Sequence, residues 1–153
     1  MEPLTRQDAE LLRILQKNAR FDIADLTTRL GMSRTSVYDR IRKLESEGYI
    51  RDYVALVDPK KVGLSFTVIV TVSLNSQRID CVENFSRQVA ELDEVVEAYV
   101  TGGIFDYILK VVVKDPDTFS HFITTKLSVI PEISKIQSTF VMYYIKQSTA
   151  LHF

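Results

Sequence analysis

The sequence of 153 residues predicts an α+β protein, with a helix-turn-helix at the N-terminus followed by a ferredoxin-like β-α-β-β-α-β domain. Apolar residues recur at helical spacing up to residue 50, whereas from Leu64 onward they alternate with a period of two. The later part also repeats itself, because a strand begins at Phe66 and again at Tyr107, about 40 residues further on. The expected domains are a helix-turn-helix at 1–50, a linker strand at 51–63 and a ferredoxin-like domain at 64–153.

Three helices are predicted in the first 50 residues. Thr5, Asp22 and Ser33 are the expected N-caps, because their side chains can accept hydrogen bonds from the unpaired N–H groups of a first helical turn. Gly31 follows the second helix, where a left-handed residue commonly ends a helix. The third helix carries an apolar stripe that should pack inward, formed by Val37, Ile41 and Leu44.

The linker at Tyr49–Val57 is predicted to form a strand that ends at Asp58 and Pro59. Four further strands are predicted, with one helix after the first and another after the third, at Phe66–Leu74, Val95–Val100, Tyr107–Val113 and Ile136–Ile145. Both helices should cover the same face of the sheet. The other face would carry Ile69, Ile108 and Val112, which favours burial against a second copy and hence a homodimer.

Composition excludes several classes of protein. No apolar run approaches the ~20 residues needed to span a bilayer, so no membrane partner is expected. The acidic N-terminal residues do not resemble a signal peptide, and a single cysteine cannot form an internal disulfide, so the cytoplasm is the expected location. Two histidines and one cysteine give no metal-ligand spacing. No phosphate loop or nucleophile–base pair is present, so neither an enzyme nor a cofactor is expected.

Positive charge is concentrated in the third predicted helix. Residues 1–61 carry a net charge of +2 and residues 62–153 a net charge of −3. Residues near the start of such a helix enter the major groove most deeply, so base contacts are expected from Arg34, Thr35, Ser36 and Tyr38. Contacts to phosphates of double-stranded DNA are expected from Ser33, Arg40, Arg42 and Lys43. A solvated basic helix surface is the alternative reading.

Five segments in collinear order resemble the Lrp/AsnC (leucine-responsive/asparagine-operon, feast/famine) family of transcriptional regulators. They are LTRQDAELLRILQKNAR, GMSRTSVYDRIRKLESEGYI, VALVDPKKVGL, VTGGIFDYILKVVVKD and QSTFVMYYIKQSTAL. The resemblance implies a winged helix-turn-helix, a ferredoxin-like domain that senses amino acids, and dimers that assemble into octamers or similar forms. It also implies a prokaryotic, nucleoid-associated protein.

The turn TGGIFD is the expected effector site. Two adjacent glycines allow unusual dihedral angles, exposed N–H groups can bind a carboxylate, and Asp106 could accept from an α-amino group. Ile104 and Phe105 favour an apolar effector such as leucine or methionine. The resemblance transfers the site to Tyr99, Thr101, Gly102, Gly103, Ile104, Phe105 and Asp106, with Gln137, Ser138 and Thr139 opposite.

Two alternatives stay open at this point. The turn could be a plain glycine hairpin in which Asp106 only caps nearby N–H groups. The chain as a whole could be an architectural DNA-binding protein that responds to no effector, because such a protein would share every feature of the third helix and differ only at the turn.

Overall fold

The computed structural model describes residues 3–153, and the chain divides into two compact units. One unit comprises the residues through Leu56 together with Ile145–Phe153, and the other is Val57–Tyr144. Each unit has a separate apolar core. The segment Ile145–Phe153, which the sequence assigned to the ferredoxin-like domain, therefore clusters with the helices of the first unit instead.

The first unit contains α1 (Arg6–Leu15), α2 (Ile23–Leu30) and α3 (Arg34–Ser46). The three expected N-caps are confirmed, since Thr5 accepts from the Asp8 N–H, Asp22 from that of Ala24 and Ser33 from that of Ser36. Gly31 is left-handed with φ 62° and ends α2 as predicted. The short turn between α2 and α3 therefore follows from local sequence.

Side chains from all three helices form the core of the first unit. The predicted stripe of α3 is buried, with Val37 fully enclosed and Ile41 and Leu44 nearly so. Leu11 of α1 and Leu26 of α2 pack against this stripe. Each such side chain contributes roughly 1.5–3 kcal/mol when fully buried. Their packing fixes which side of α3 faces outward.

The predicted strand at Tyr49–Val57, and with it the linker strand at 51–63, is wrong. Residues 51–58 have no regular secondary structure, and Pro59–Val62 forms a short 3₁₀ turn that Asp58 caps. A strand requires a neighbour that satisfies its N–H and C=O groups, and no described segment pairs with residues 51–57. The wing implied by the family resemblance is accordingly not seen among residues 3–56.

The second unit has the predicted β-α-β-β-α-β order. Its elements are β1 (Phe66–Leu74), α4 (Ile79–Ala90), β2 (Val95–Val100), β3 (Tyr107–Val113), α5 (Pro116–Phe122, extended by a π-helical turn at Ile123–Leu127) and β4 (Ile133–Phe140). The strands lie in the order β2-β3-β1-β4 and every neighbouring pair is antiparallel. This arrangement confirms the ferredoxin-like prediction.

The last strand is shifted relative to the predicted Ile136–Ile145. β4 begins at Ile133, which pairs with Leu74 beyond a register shift, and ends at Phe140, which pairs with Val68. The Val141 N–H still donates to the Thr67 carbonyl oxygen at 2.8 Å. Because β1 starts at Phe66, no neighbouring strand remains for the residues after 141.

The two faces of the sheet differ in polarity. Val68, Val70 and Val72 of β1 point toward the helices and are buried. The open face carries the expected apolar residues half-buried, but it also holds Lys110, whose Nζ lies 2.7 Å from Oε1 of Glu97. The open face is thus more polar than the sequence indicated. None of the helices among residues 3–153 is both long and apolar enough to cross a membrane.

Candidate functional site

The side of α3 opposite its buried stripe is open to solvent. Among the residues expected to contact DNA, the exposed ones are Ser33, Arg34, Thr35, Ser36, Tyr38, Arg42 and Lys43. Within residues 3–153, the guanidinium groups of Arg34 and Arg42 form no ion pair or hydrogen bond. Two unpaired cations therefore stand on this face, eight positions apart along the helix.

Arg40 differs from these residues because its guanidinium is engaged within the chain, while its expected phosphate contact stays a prediction. Its Nη1 lies 2.5 Å from Oδ1 of Asp8 and 3.0 Å from Oγ1 of Thr5. Its Nη2 donates to Oε1 of Gln7 at 2.9 Å. Since both Nη atoms bind the start of α1, Arg40 fastens α3 to α1. The sequence could not reveal this contact because the partners lie more than 30 positions away.

Two other members of the expected set are partly engaged within the chain. The hydroxyl oxygens of Ser33 and Ser36 lie 2.8 Å apart, in addition to the capping bond. Nζ of Lys43 lies 3.7 Å from Oε1 of Glu47, in an exposed pair of the kind that contributes little to stability. Both contacts lie on the surface of the chain.

Tyr53 contacts α3 from the linker, a role that sequence reasoning missed. Its hydroxyl donates to Oε1 of Glu45 at 2.9 Å. Burial, together with this bond and the negative charge of Glu45, raises the pKa of Tyr53 to about 12. The pair borders a cavity of about 330 Å³ whose walls also include Phe21, Tyr38 and Arg42. Nothing in the local spacing predicted the pair, because residue 53 was assigned to a strand.

In the second unit, residues 101–106 connect β2 to β3. The Thr101 N–H donates to the Asp106 carbonyl oxygen at 2.9 Å, and Oγ1 of Thr101 donates to that of Phe105. The Asp106 carboxylate accepts from the Leu74 N–H at 2.7 Å and from Nε2 of Gln77 at 2.7 Å. Each of its oxygens therefore accepts one bond within the chain, a pattern that favours the capping alternative, while a carboxylate has further lone pairs that could accept from an α-amino group.

The tip of this turn exposes backbone. Among the described residues no hydrogen bond is made by the N–H groups of Gly102, Gly103, Ile104 and Phe105. Gly102 and Gly103 do not use the freedom that glycine allows, since only Gly31, Gly48 and Gly63 have positive φ in residues 3–153. A methyl group added to Gly102 or Gly103 would meet no atom within 4 Å. The fold of one chain therefore does not itself require glycine at these two positions.

The remaining effector residues do not join the turn within one chain. Tyr99 lies on β2 at one edge of the sheet, and its hydroxyl donates to Glu97. Gln137 and Thr139 lie on β4 at the opposite edge, paired with Thr71 and Ile69, and Ser138 lies between them. With three strand spacings of ~4.8 Å between the edges, these two groups are ~14 Å apart.

An apolar cavity of about 240 Å³ separates α4 from the exposed edge strand β2. Phe85 and Val89 of α4 form one wall, and Val96, Ala98 and Val100 of β2 contribute to the other. Sequence reasoning did not identify this cavity, because alternation along β2 predicts which residues share a face but not how closely a helix covers them.

Comparisons with known proteins agree with both units. A model described as winged helix-turn-helix DNA-binding matches residues 4–51, and a model of the Lrp/AsnC ligand binding domain matches residues 67–151. The leucine-responsive regulatory protein of Escherichia coli strain K12 is 34% identical over 148 residues, which cover 97% of this chain and 90% of that protein. The chain belongs to the Lrp/AsnC family.

Two solved structures superpose closely on this Lrp/AsnC chain. The AsnC family transcriptional regulator of Agrobacterium tumefaciens has a TM-score of 0.92 and 40% identity, covering 97% of each chain. A transcriptional regulator of Neisseria meningitidis in complex with L-Met has a TM-score of 0.93 and 31% identity, covering 98% of this chain and 97% of that one. This Lrp/AsnC protein is thus a DNA-binding transcriptional regulator with a ligand-binding domain.

A metal site in this Lrp/AsnC chain would require several ligand side chains close together. No cluster of three or more His, Cys, Asp or Glu side chains occurs in the part of the chain that the structure describes. Cys81 is a free, half-buried thiol near the start of α4. The α3 face and the 101–106 turn therefore remain as the two candidate functional surfaces.

Proposed function

We propose that α3 reads specific sequences of double-stranded DNA and that the 101–106 turn binds a free amino acid, which alters assembly and DNA binding. The observation that carries the DNA part is the exposure of Arg34 and Arg42 on a helix whose opposite side is buried. Arg34 is the first residue of α3, so its guanidinium is placed to pair bidentately with a guanine. Arg42, eight positions later, is placed to bind phosphate.

The effector part is supported by the unpaired N–H groups at the tip of the turn. A carboxylate can accept from several of them, and the open space before Gly102 and Gly103 lets it approach the backbone. Ile104 is 91% exposed and available to an apolar side chain. The Neisseria relative is a complex with L-Met, and the Escherichia coli relative is named leucine-responsive. We therefore propose methionine or leucine as the effector.

The effector site is completed by a second chain in this proposal. Gln137, Ser138 and Thr139 lie on β4, at the sheet edge opposite Tyr99, so in this proposal another copy presents them to a ligand that the turn holds. The half-buried Ile69, Ile108 and Val112 on the open sheet face supply a surface for a homodimer. Dimers would then meet at the turns and form an octamer or a similar assembly.

Binding to DNA is tested by selecting sites from random duplexes with the full chain, followed by footprinting of the selected site. A shared sequence and a protected footprint are expected. Protection without any enriched sequence would contradict sequence-specific reading by α3.

Effector binding is tested by isothermal titration with each of the twenty amino acids, together with light scattering of the assembly. We expect heat and a change in mass with methionine or leucine. If all twenty leave both heat and mass unchanged, a free amino acid is not the effector. We propose no enzymatic activity, and a cytoplasmic location on the nucleoid follows from the DNA partner.

A further inference from the structure

The segment Ile145–Phe153 leaves β4 and ends on the DNA-binding unit. The chain passes from the first unit to the second at Leu56–Val57 and returns at Tyr144–Ile145. Two covalent connections, instead of one, therefore join the DNA-binding unit to the ligand-binding unit. The second connection continues directly from β4, which carries the expected effector residues Gln137, Ser138 and Thr139.

The segment is fastened at its start to β1. The Val141 N–H donates to the Thr67 carbonyl oxygen at 2.8 Å, and the Tyr144 hydroxyl donates to Oγ1 of Thr67 at 3.2 Å. Thr67 is itself buried, with 8% of its surface exposed. A shift of β4 along β1 would therefore have to break these two bonds at the beginning of the segment.

The end of the segment is fastened to α1. Gln16 forms two hydrogen bonds with Leu151. The Leu151 N–H donates to Oε1 of Gln16 at 2.6 Å, and Nε2 of Gln16 donates to the Leu151 carbonyl oxygen at 3.3 Å. Nε of Arg13 donates to the Phe153 carbonyl oxygen at 3.1 Å, and the guanidinium carbon lies 5.5 Å from the centre of the Phe153 ring. Arg13 and Gln16, the residue that caps the C-terminal end of α1, therefore hold Leu151 and Phe153.

The intervening residues limit how far the two ends can separate. Residues 145–150 have no helix or strand, and six residues span at most ~20 Å when fully extended. The contacts at α1 are exposed to water, so they can break and form again. A displacement of β4 that extends these residues fully would either pull on α1 or release the segment from it.

We propose that this segment transmits the effector signal to the DNA-binding unit, with Arg13 and Gln16 as positioning residues that attach it. The inference rests on the proposed function, because it assigns a route to the effector response. Neither residue lies on α3, so they act through the placement of the helix-turn-helix and not through contact with DNA. Coupling of this kind is reciprocal, so DNA binding also changes the state of the segment.

The test uses the full-length double variant R13A/Q16A, with R6A as the matched control. Arg6 is an exposed arginine of α1 that has no partner among residues 3–153. DNA affinity is measured without and with L-methionine and L-leucine. We expect the effector-free Kd of R13A/Q16A to stay within about twofold of wild type while the effector-induced change in Kd falls at least about threefold. R6A should respond like wild type.

A second readout needs no effector. The Leu151 amide is bonded to Gln16, so its hydrogen exchange reports attachment of the segment. In the wild-type protein, operator DNA should change this exchange rate at least about fivefold. If R13A/Q16A unfolds at a much lower temperature than wild type, F153A replaces it in the DNA-affinity measurements. F153A removes only the ring beside Arg13.

Two results would overturn the inference. One is an effector response of R13A/Q16A equal to that of wild type, and the other is Leu151 exchange that is the same with and without DNA. A wild-type protein that responds to none of the twenty amino acids contradicts the proposed effector instead. In that case the exchange measurement alone decides whether the segment senses the DNA-bound state.

Discussion

Arg40 and Asp8 form an ion pair between α3 and α1, with 2.5 Å between Nη1 and Oδ1. Asp8 is 5% exposed, and its other oxygen accepts from the Thr5 N–H at 3.0 Å. One carboxylate therefore completes the capping box of α1 and fixes α3 against it. Arg42, two residues beyond Arg40, has no such partner, and the contrast between the two arginines gives paired predictions.

Arg40→Ala should lower the free energy of unfolding by about 1–2 kcal/mol. The partly exposed pair lies between surface pairs and fully buried ones, whose disruption costs more. Arg42→Ala, which removes the same side chain from an exposed position, should change stability by less than about 0.5 kcal/mol. Urea unfolding of both variants measures the difference, and equal midpoints would show that the ion pair does not fasten the helices.

Acid should lower the free energy of unfolding by protonating Asp8. Burial acts to raise the pKa of Asp8, but hydrogen bonds from Thr5 and Arg40 outweigh it and hold that pKa below the usual 3.8. The resulting stabilisation is present above pH 3.8 and is lost as pH falls through the lowered pKa of the folded state. Unfolding followed between pH 5 and about 2 should therefore show a smaller slope for Asp8→Asn than for wild type. Parallel curves would contradict the role of Asp8.

Arg42→Ala should weaken binding to all DNA sequences alike. Loss of one phosphate contact reduces the number of counterions released, so the slope of log K against log salt should flatten by about one unit. Fluorescence anisotropy over a series of salt concentrations measures that slope. For Arg40→Ala, by contrast, the slope should equal that of wild type at every salt concentration at which the variant is folded, because Arg40 is bound to α1.

Arg34→Ala should relax the choice of base at one position of the operator. A bidentate contact to guanine contributes roughly 1–3 kcal/mol of discrimination, and Arg34 is at the end of α3 that enters the groove. Site selection with the variant should return a sequence in which one base is no longer fixed. Recovery of the wild-type preference at every position would remove Arg34 from the set that contacts bases.

Gly102→Ala should leave stability unchanged but weaken effector binding. The added methyl group meets no atom of the chain within 4 Å, yet it occupies the space in front of the free N–H groups. Gly63→Ala is the matched control, because Gly63 has φ 83° and an alanine there should cost about 1–2 kcal/mol. Thermal melts and titration calorimetry distinguish the two effects. Unimpaired effector affinity of Gly102→Ala would place the ligand elsewhere.

Local signals in the sequence were sufficient for most of the architecture. The N-caps, Gly31 and the alternation along β1 and β3 depend on neighbouring residues, and each lies where it was predicted. The linker strand and the end of β4 were wrong because a strand exists only where another strand satisfies its backbone, and that partner is set by the whole fold.

At the two candidate functional surfaces, too, the sequence predicted the features that depend on neighbouring residues but not the contacts between distant segments. The helical period placed Arg34 and Arg42 outward, but it could not distinguish them from Arg40, whose partners belong to a different helix. The pair of glycines correctly indicated an exposed turn. The hydrogen bonds that the Asp106 carboxylate accepts come from Leu74 and Gln77, which no local sequence pattern connects to it. Interactions between distant segments are the part that sequence reasoning did not reach.

The return of Ile145–Phe153 to the first unit has a consequence for the order in which the protein matures during synthesis. The three helices can begin to pack as soon as they leave the ribosome, since their contacts are local and local contacts form fast. β1 has to wait for β4, whose pairing partner lies about 70 positions away in sequence, before its sheet can close. The first unit, although its helices are made first, becomes complete only after residues 145–153 have been made and have reached α1.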